Sequence, residues 1–214
     1  MKQLTKYNRV AGYLNNLYDR LNADYFNGEM VRPVITIQST PQAYGHYTLY
    51  DAWSINGDGL QEINIGAGTL ARPIEDVVAT LLHEMCHQYN AVNGIQDVSR
   101  GGTYHNKRFK KTAESHGLVI SQSEKYGWTI TEPSDELLDW ILLNDLTDIP
   151  MNRNEFSGLF TGGNGKGQSD GNNNSPKRKG SYRRYKCPQC GLIARTTKDA
   201  NLVCGDCVQT MISA

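Results

Sequence analysis

Two histidines and a glutamate fall within five consecutive residues, His83-Glu84-Met85-Cys86-His87. Residues four apart project from the same face of an α-helix, one turn apart. Two imidazoles placed in this way can bind one Zn²⁺, and the carboxylate beside the first can accept a proton from a water on the metal. The pattern predicts His83 and His87 as ligands of a catalytic zinc and Glu84 as general base in peptide-bond hydrolysis. The alternative is a chance match in an unrelated helix.

A catalytic zinc needs a third protein ligand, and the candidates are His46, His105 and His116. His105 follows the flexible pair Gly101-Gly102, so a loop could bring it to the metal. His116 lies eleven residues further on, about 16 Å along a helix at ~1.5 Å per residue, so the two cannot bind the same ion. We assign His105 as the ligand and His116 as a structural residue at a helix end. We place His46 in the sheet or at the edge of the cleft.

Other side chains near the motif leave alternatives open. Glu114 is an alternative carboxylate ligand. Cys86 could be a ligand or a redox-sensitive thiol, although a free cysteine between buried positions more often packs as a small apolar residue. Tyr89 and Tyr104 could stabilise an oxyanion, but twelve tyrosines give no reason to choose between them.

Two further pairs of metal-binding residues lie near the C-terminus. Cys187 and Cys190 form one Cys-x-x-Cys pair, and Cys204 and Cys207 form another after thirteen intervening residues. Four thiolates at this spacing predict a closed tetrahedral zinc site in a ribbon whose folding energy comes mostly from the metal. The expected cofactor is therefore Zn²⁺, two ions per chain, one catalytic and one structural.

Helix and strand patterns surround these motifs. Apolar residues at steps of three and four predict an amphipathic helix over residues 4–25, ended by Asn27-Gly28. Strands are predicted at 34–37, 43–53 and 61–65, with a mainly antiparallel sheet. Further helices are predicted from near Pro73 to a stop before Asn93-Gly94, over 105–116, and after Ser134 as N-cap. The expected class is α+β.

Composition limits the remaining possibilities. The chain has 214 residues, of which 38% are hydrophobic and 21% charged, as in ordinary folded domains. No apolar run reaches the ~20 residues that span a bilayer, and no signal-peptide pattern follows Met1, so we expect a cytoplasmic protein with no membrane contact. Residues 161–181 contain no Ala, Val, Ile, Leu, Met, Cys, Phe, Tyr or Trp and predict a flexible linker. The predicted domains are 1–160, a metalloprotease domain, and 182–214, a zinc ribbon with a basic lead-in.

The zero net charge hides an asymmetry along the chain. Residues 1–160 carry 13 Lys+Arg against 19 Asp+Glu, whereas residues 161–214 carry 9 against 3. The basic residues before the ribbon alternate with Tyr182 and Tyr185, a combination suited to phosphates and stacked bases. We therefore predict a nucleic-acid contact, with single-stranded DNA favoured; the alternative is a solvated basic linker without a partner. The predicted contact residues are Lys177, Arg178, Lys179, Arg183, Arg184 and Lys186.

The order of these motifs resembles that of a known family. Tyr44-Gly45-His46-Tyr47 and Glu62-Ile63-Asn64-Ile65 precede the histidine motif, and Tyr104-His105-Asn106-Lys107-Arg108-Phe109 and a four-cysteine ribbon follow it. This resembles the SprT-like zinc metalloproteases, which include Spartan. The resemblance implies a zincin-like fold, His105 as third ligand, and protein substrates that are bound or crosslinked to DNA. Asn106 stands where the family usually has glycine.

Two functions therefore enter as hypotheses. The first is a DNA-associated zinc metalloprotease. The second is a nucleic-acid-binding or transcription-associated factor in which the zincin fold is only structural. The intact Glu84 favours the first, because a factor without catalysis has no need of this carboxylate.

Overall fold

The structure is a computed structural model that describes residues 4–40, 43–154, 183–196 and 198–213. It divides into two units, residues 1–160 and 161–214, which are described separately below. The predicted linker at 161–181 lies outside the described residues. None of the helices in the described ranges is long and apolar enough to cross a membrane.

The first helix, α1 (Tyr7–Tyr25), buries one face of its surface. The predicted apolar stripe is buried from Val10 to Leu21, but Tyr7 at its start is 57% exposed. The helix ends as predicted, since Asn27 and Gly28 both adopt left-handed backbone angles (φ 55° and 71°). The N–H of Gly28 donates to the carbonyl of Asn22 at 2.8 Å, which satisfies one of the last helical acceptors.

The first sheet has three strands and is mixed rather than antiparallel. Its strands are β1 (Val34–Gln38), β2 (Gly45–Tyr47) and β5 (Glu62–Gly66), in the order β1-β5-β2. β1 runs parallel to β5, and β2 runs antiparallel to it. The strand predicted over 43–53 is in fact two short strands, because β3 (Trp53–Ile55) turns back through Asn56-Gly57 and pairs with β4 (Asp58–Leu60) in a separate hairpin.

Helix α2 (Ile74–Val92) is the centre of the larger unit. It follows a short 3₁₀ helix at Ala67–Thr69 and begins after Pro73, as predicted. Thirteen of its 19 residues are buried, far more than one amphipathic stripe would supply. The helix must therefore be covered on several sides, and it contacts α1, α3 and both sheets.

A second sheet, absent from the sequence prediction, covers another side of α2. Its strands are β6 (Val98–Ser99), β7 (Tyr104–His105), β8 (Leu118–Ser123) and β9 (Gly127–Pro133), in the order β6-β7-β9-β8. α3 (Lys107–Ser115) lies between β7 and β8 in the chain, and α4 (Asp135–Leu143) follows β9. The helix predicted over 105–116 is thus shorter, and His105 belongs to a strand.

Side-chain caps explain where these two helices begin. The Asn106 side chain accepts from the backbone N–H groups of Arg108 and Phe109, so α3 cannot include His105. Ser134 accepts from the N–H of Leu137 and begins α4 as predicted. Asn106 is therefore the N-cap of α3.

The smaller unit consists of short strands around four cysteines. A three-stranded sheet has the order β11-β10-β14, and β12 pairs with β13. The strands are β10 (Arg183–Lys186), β11 (Ile193–Thr196), β12 (Val203–Cys204), β13 (Gln209–Thr210) and β14 (Ile212–Ser213). Its core is small and contains Tyr185, Cys187, Cys204 and Met211, which agrees with a unit that depends on a metal.

Gly127 allows β7 and β9 to approach each other. Its φ is +73°, and a Cβ there would overlap the carbonyl oxygen of His105 and come within 2.8 Å of the Tyr104 ring. We expect Gly127→Ala to lower the free energy of unfolding by about 2 kcal/mol or more, because a left-handed alanine and a backbone clash both cost stability. Gly12→Ala is the control, since its added methyl meets nothing within 4 Å and alanine favours the helix. Urea unfolding followed by tryptophan fluorescence measures both; an unaffected Gly127→Ala would contradict this account.

Candidate metal centre

Three imidazole rings point at one place in the larger unit. His83 and His87 lie one turn apart on α2, and His105 lies on β7. The Nε2 atom of His105 is 3.3 Å from Nε2 of His83 and 3.0 Å from Nε2 of His87. The structure thus brings together the three residues that the sequence predicted as ligands, with donor atoms all within 4.8 Å of one another.

The outer ring nitrogens of the two helical histidines have hydrogen-bond partners. Nδ1 of His87 is 2.7 Å from Oδ2 of Asp97, and Nδ1 of His83 is 2.7 Å from Oγ1 of Thr131. Asp97 can only accept, and Thr131 donates its proton to the carbonyl of Thr129 at 3.2 Å. Both Nδ1 atoms therefore carry the proton, which leaves a lone pair on each Nε2.

The third ring, that of His105, has one buried nitrogen without a partner among the described residues. This is its Nδ1, whereas its Nε2 faces the Nε2 atoms of His83 and His87. Burial lowers the pKa of His83 well below its usual range and the pKa of His105 to about 4, and neighbouring imidazoles lower both further. The Nε2 atoms of His83 and His87 present lone pairs toward Nε2 of His105, and three imidazoles gathered in this way fit a metal ion.

Phe109 holds the rings in place. Its side chain is fully buried, and its ring centroid lies 4.5 Å from His83, 4.5 Å from His87 and 4.8 Å from His105. Because Asn106 fixes the start of α3, the same cap sets the position of Phe109 behind the site.

Glu84 follows the first ligand on α2 and does not belong to the group of converging ligand atoms. Its side chain is buried, and burial raises its pKa to about 7. A Cβ placed on Gly45 would lie 3.1 Å from its Oε1 atom, so β2 passes directly beside the carboxylate. The carboxylate is therefore available to exchange a proton beside the metal rather than to bind the ion.

The other residues considered as metal ligands lie outside the group of three histidines, which agrees with the choice of His105. His46 is on β2 with Nε2 3.7 Å from Oε1 of Glu62. His116 caps α3, where its ring stacks on Phe26 at 4.4 Å between centroids. Glu114 pairs with Lys110 at 3.5 Å, and Cys86 is completely buried in the apolar core.

Asp97 and Thr131 are the functional residues that the sequence prediction missed. Asp97 orients His87 and is itself held by Nδ2 of Asn90 at 2.9 Å, while Thr112 donates to Asn90 at 2.7 Å. Burial alone would raise the pKa of Asp97, but the hydrogen bond and charge of His87 and the bond from Asn90 lower it overall. The sequence could have identified Asp97 as this partner, because it is the only acidic residue between His87 and His105.

Comparison with known proteins agrees with this geometry. The sequence profile of the SprT-like family matches residues 14–126, more than half of the chain, and the match includes all three histidines. The chain belongs to the SprT-like family. Members of this family are generally metalloprotease-like, so a hydrolase of that type is indicated. Searches of curated proteins and of solved structures found no match.

The SprT-like chain has a second candidate metal site in its smaller unit. The sulfur atoms of Cys187, Cys190, Cys204 and Cys207 lie within 4.8 Å of one another, and none of the four forms a disulfide. Hydrogen bonds from the backbone of Cys190 and Gln189 lower the pKa of Cys187 to about 6, whereas the hydrogen bond with Cys190 raises the pKa of Cys207 to about 12, so Cys187 is the thiol of the cluster that ionises most readily.

The predicted nucleic-acid contacts are only partly described. Lys177, Arg178 and Lys179 lie outside the described residues. Arg183 and Lys186 are exposed on β10, and Arg183 pairs with Asp199 at 3.1 Å. Tyr185 is 8% exposed, and its hydroxyl bonds Asp199 and the N–H of Ala200, so this ring belongs to the ribbon core and offers no stacking face.

The assignment of His105 is tested by counting metal ions. We expect His105→Ala to lower the metal content from two ions per chain to one, because two histidines alone bind weakly. His116→Ala removes an imidazole of the same size outside the site and should leave two. Elemental analysis of the purified variants measures this; two ions retained in His105→Ala would refute the assignment.

Each Cys-x-x-Cys pair is followed by a residue with a left-handed backbone conformation, which is glycine after the first pair and valine after the second. The N–H groups of Gly191 and Val208 donate to the carbonyls of Cys187 and Cys204, and both residues have positive φ, +76° and +51°. A β-branched residue is strained there, so we expect Val208→Gly to strengthen metal binding by about 1 kcal/mol, and Gly191→Val to weaken it by a similar amount.

The absorption of thiolate-bound Co²⁺ measures this affinity at the cysteine site alone. Chelator titration of both variants should give changes of opposite sign. If both variants changed the metal affinity in the same direction, backbone strain at position 208 would not be the difference between the two cysteine turns.

Proposed function

We propose that the chain is a zinc-dependent metalloprotease that hydrolyses peptide bonds. The observation that carries the proposal is the convergence of His83 and His87 on α2 with His105 on β7, next to the buried carboxyl group of Glu84. Membership of the SprT-like family supports it. A purely structural metal site would have no use for a buried carboxylate at the residue after its first ligand, since burial of a carboxyl group is costly.

Zinc fits both candidate sites by ligand type and spacing. Two nitrogens at ~2.0–2.1 Å from one tetrahedral ion lie about 3.3–3.4 Å apart, close to the observed 3.0 and 3.3 Å. Two sulfurs at ~2.3 Å lie about 3.8 Å apart, close to the 3.6 Å between Cys190 and Cys204. We therefore propose two zinc ions per chain, one held by three histidines and one by four cysteines.

The protein's own residues have distinct tasks in the proposed reaction. Zinc, when bound, supplies the Lewis acidity that acidifies water and polarises a peptide carbonyl. Glu84 accepts a proton on its carboxylate and returns it to the leaving amine, and its pKa of about 7 suits both transfers. Asp97 and Thr131 keep the Nδ1 protons of His87 and His83 in place, so that both Nε2 atoms stay available as ligands.

β2 is suited to hold an extended peptide beside Glu84. It is an edge strand of its sheet, so its outer backbone groups have no strand partner among the described residues. Gly45 brings this strand close to the site, since a Cβ there would lie only 3.1 Å from Oε1 of Glu84. A substrate that adds to this edge as a strand would have its backbone aligned with the metal centre.

The proposed substrates are proteins bound or crosslinked to DNA. The support is the basic segment before the ribbon, from which Arg183, Arg184 and Lys186 fall in the described part, together with the family resemblance. Contact of this segment with single-stranded DNA would bring the protease to proteins on the same strand.

Glu84→Gln separates catalysis from metal binding. The amide cannot accept a proton, so we expect hydrolysis to fall at least ~10²-fold, while both metal ions remain bound. Glu29→Gln makes the same chemical change at an exposed position and should leave activity unchanged. Cleavage of a DNA-binding protein, followed by gel electrophoresis with elemental analysis of each variant, measures both quantities.

The same assay with and without single-stranded DNA distinguishes the two hypotheses for function. Cleavage that requires both DNA and Glu84 supports the proposed protease. Tight DNA binding with both metals present and no cleavage would favour a nucleic-acid-binding factor in which the metal fold is only structural.

A further inference from the structure

The two faces of strand β2 have different surroundings. Residues opposite each other in a ladder point to the same face, so Gly45 points the same way as Ile65, and His46 the same way as Asn64. Ile65 is buried in the core, and a Cβ on Gly45 would lie 3.1 Å from Oε1 of Glu84, so this face looks toward α2 and the metal centre. His46 therefore lies on the opposite side of the sheet, called the outer face below.

The free edge of β2 presents the backbone of every second residue. A backbone hydrogen bond to β5 lies on each side of the strand, 2.7 Å at Tyr44 and 2.9 Å at Thr48. Because hydrogen-bonded pairs recur every two residues in an antiparallel ladder, His46 between them also bonds to β5. The N–H and C=O groups of Gly45 and Tyr47 therefore point away from the sheet, where an added peptide strand would bond to them.

A substrate strand bound at this edge would place its side chains alternately on the two faces. The side chain opposite Gly45 would face the metal centre, and the one opposite His46, one residue further along, would lie on the outer face. The peptide bond to be cut lies beside Glu84 and hence close to Gly45. The outer face at His46 would therefore meet a substrate side chain within about two residues of that bond.

Two partly exposed rings lie on the outer face beside one buried carboxylate. The indole N–H of Trp53, on the β3–β4 hairpin, donates to Oε2 of Glu62, the first residue of β5. Nε2 of His46 lies 3.7 Å from Oε1 of the same carboxylate. Trp53 is 45% exposed and the side chain of His46 46% exposed. Glu62 thus fixes the indole next to the imidazole, while a large part of both rings remains open to a ligand.

The segment around these rings is apolar and has no positive charge. No Lys or Arg occurs between Arg32 and Arg72, so the segment offers no cation to a phosphate group. Three further large apolar residues near Trp53 in the chain are exposed: Leu49, Tyr50 and Ile55. Exposed apolar side chains gathered beside a substrate edge indicate a ligand that is itself apolar.

A basic side chain of the substrate is the rival ligand. Asp51 and Asp58 are exposed near the hairpin, but exposed ion pairs contribute little to binding. The carboxylate that contacts the two rings is that of Glu62, and each of its oxygens already faces a ring nitrogen. The rings therefore offer apolar surface rather than an acid that awaits a cation.

We propose that Trp53 and His46 form a specificity subsite that binds a large apolar or aromatic side chain of the peptide substrate, close to the bond to be cut. Glu62 is a positioning residue that acts through the indole of Trp53. The inference rests on the proposed peptide hydrolysis and adds the substrate class to it. The preferred substrates are extended segments with large apolar residues, which folded proteins bury and unfolded segments expose.

The test uses fluorescence-quenched peptides of Gly, Ser and Ala in which one residue is varied among Phe, Leu, Ser and Lys. The full-length chain with both metals bound is assayed with single-stranded DNA present throughout, and mass spectrometry locates the cut. We expect kcat/KM for the Phe and Leu peptides to exceed that for the Ser peptide about tenfold, because a subsite for an apolar side chain discriminates to this degree. The Lys peptide should resemble the Ser peptide.

Variants assign this preference to the two rings. Trp53→Ala should lower the ratio of kcat/KM for the Phe and Ser peptides about tenfold, and His46→Ala should lower it in the same direction. A general loss of activity cancels in this ratio, so a merely structural effect does not change it. Tyr7→Ala removes an exposed aromatic ring on α1 and should keep the ratio. Glu62→Gln should also keep it, since the amide oxygen accepts from the indole, whereas Glu62→Ala should lower it with Trp53 still present.

Peptide binding distinguishes failure of the subsite from failure of the proposed function. Glu84→Gln is introduced into each protein to stop cleavage, and the anisotropy of labelled Phe and Ser peptides measures their affinity. Tighter binding of the Phe peptide that Trp53→Ala abolishes would establish the subsite even if no peptide were cut.

Three results would overturn the subsite and leave the protease in place. They are cleavage with equal kcat/KM for the Phe and Ser peptides, a preference for the Lys peptide, and a Phe preference that survives both Trp53→Ala and His46→Ala. Equal affinity for the Phe and Ser peptides, with no cleavage of either, would overturn both proposals.

Discussion

Burial of polar groups on α2 is the constraint on which the larger unit depends. A helix that carries metal ligands in the interior brings other polar side chains with it, and each costs about 2–7 kcal/mol if it is buried without a partner. Gln88 is therefore bonded by the hydroxyl of Tyr18 at 2.8 Å and donates to the carbonyl of Val31 at 2.7 Å. Asn90 is bonded to Thr112 and Asp97. These partners come from α1, α3, the segment between α1 and β1 and the segment before β6, so the surrounding elements are fixed by the same groups that position the site.

The local part of this arrangement could be predicted from the sequence. α2 begins and ends, and α4 begins, where the sequence predicted, because proline, serine and glycine act on their immediate neighbours. The ligand pair on α2 followed from helical spacing alone. The strands of the second sheet were not predicted, because β6 and β7 have only two residues each and are held by partners distant in sequence. His105 was grouped with His83 and His87, as the structure also places it, but it was assigned to the wrong element, since the cap at Asn106 had not been recognised.

The partners of the histidine rings show why the rest could not be predicted. Thr131 reaches His83 from 48 residues away, and nothing in the sequence around either residue indicates the pairing. Asp97 is different, because a ligand histidine commonly requires a carboxylate or carbonyl on its other nitrogen. With one acidic residue between His87 and His105, that requirement alone identifies the partner. Chemical requirements of a site can therefore locate residues that secondary-structure patterns cannot.

Charge has to be considered at the scale of a side-chain cluster rather than of a domain. The excess of six acidic residues over 1–160 suggests a unit that repels polyanions, yet five basic residues without an acidic one occupy the segment between Asp97 and Glu114. Screening limits the reach of each charge to about 10 Å in solution, so distant carboxylates do not cancel this cluster. Lysines at the start of a helix lower its stability, and the cap at Asn106 and the burial of Phe109 offset that cost. The site is thus held in place by neutral contacts on one face of α3, which leaves the other face free to carry unbalanced positive charge.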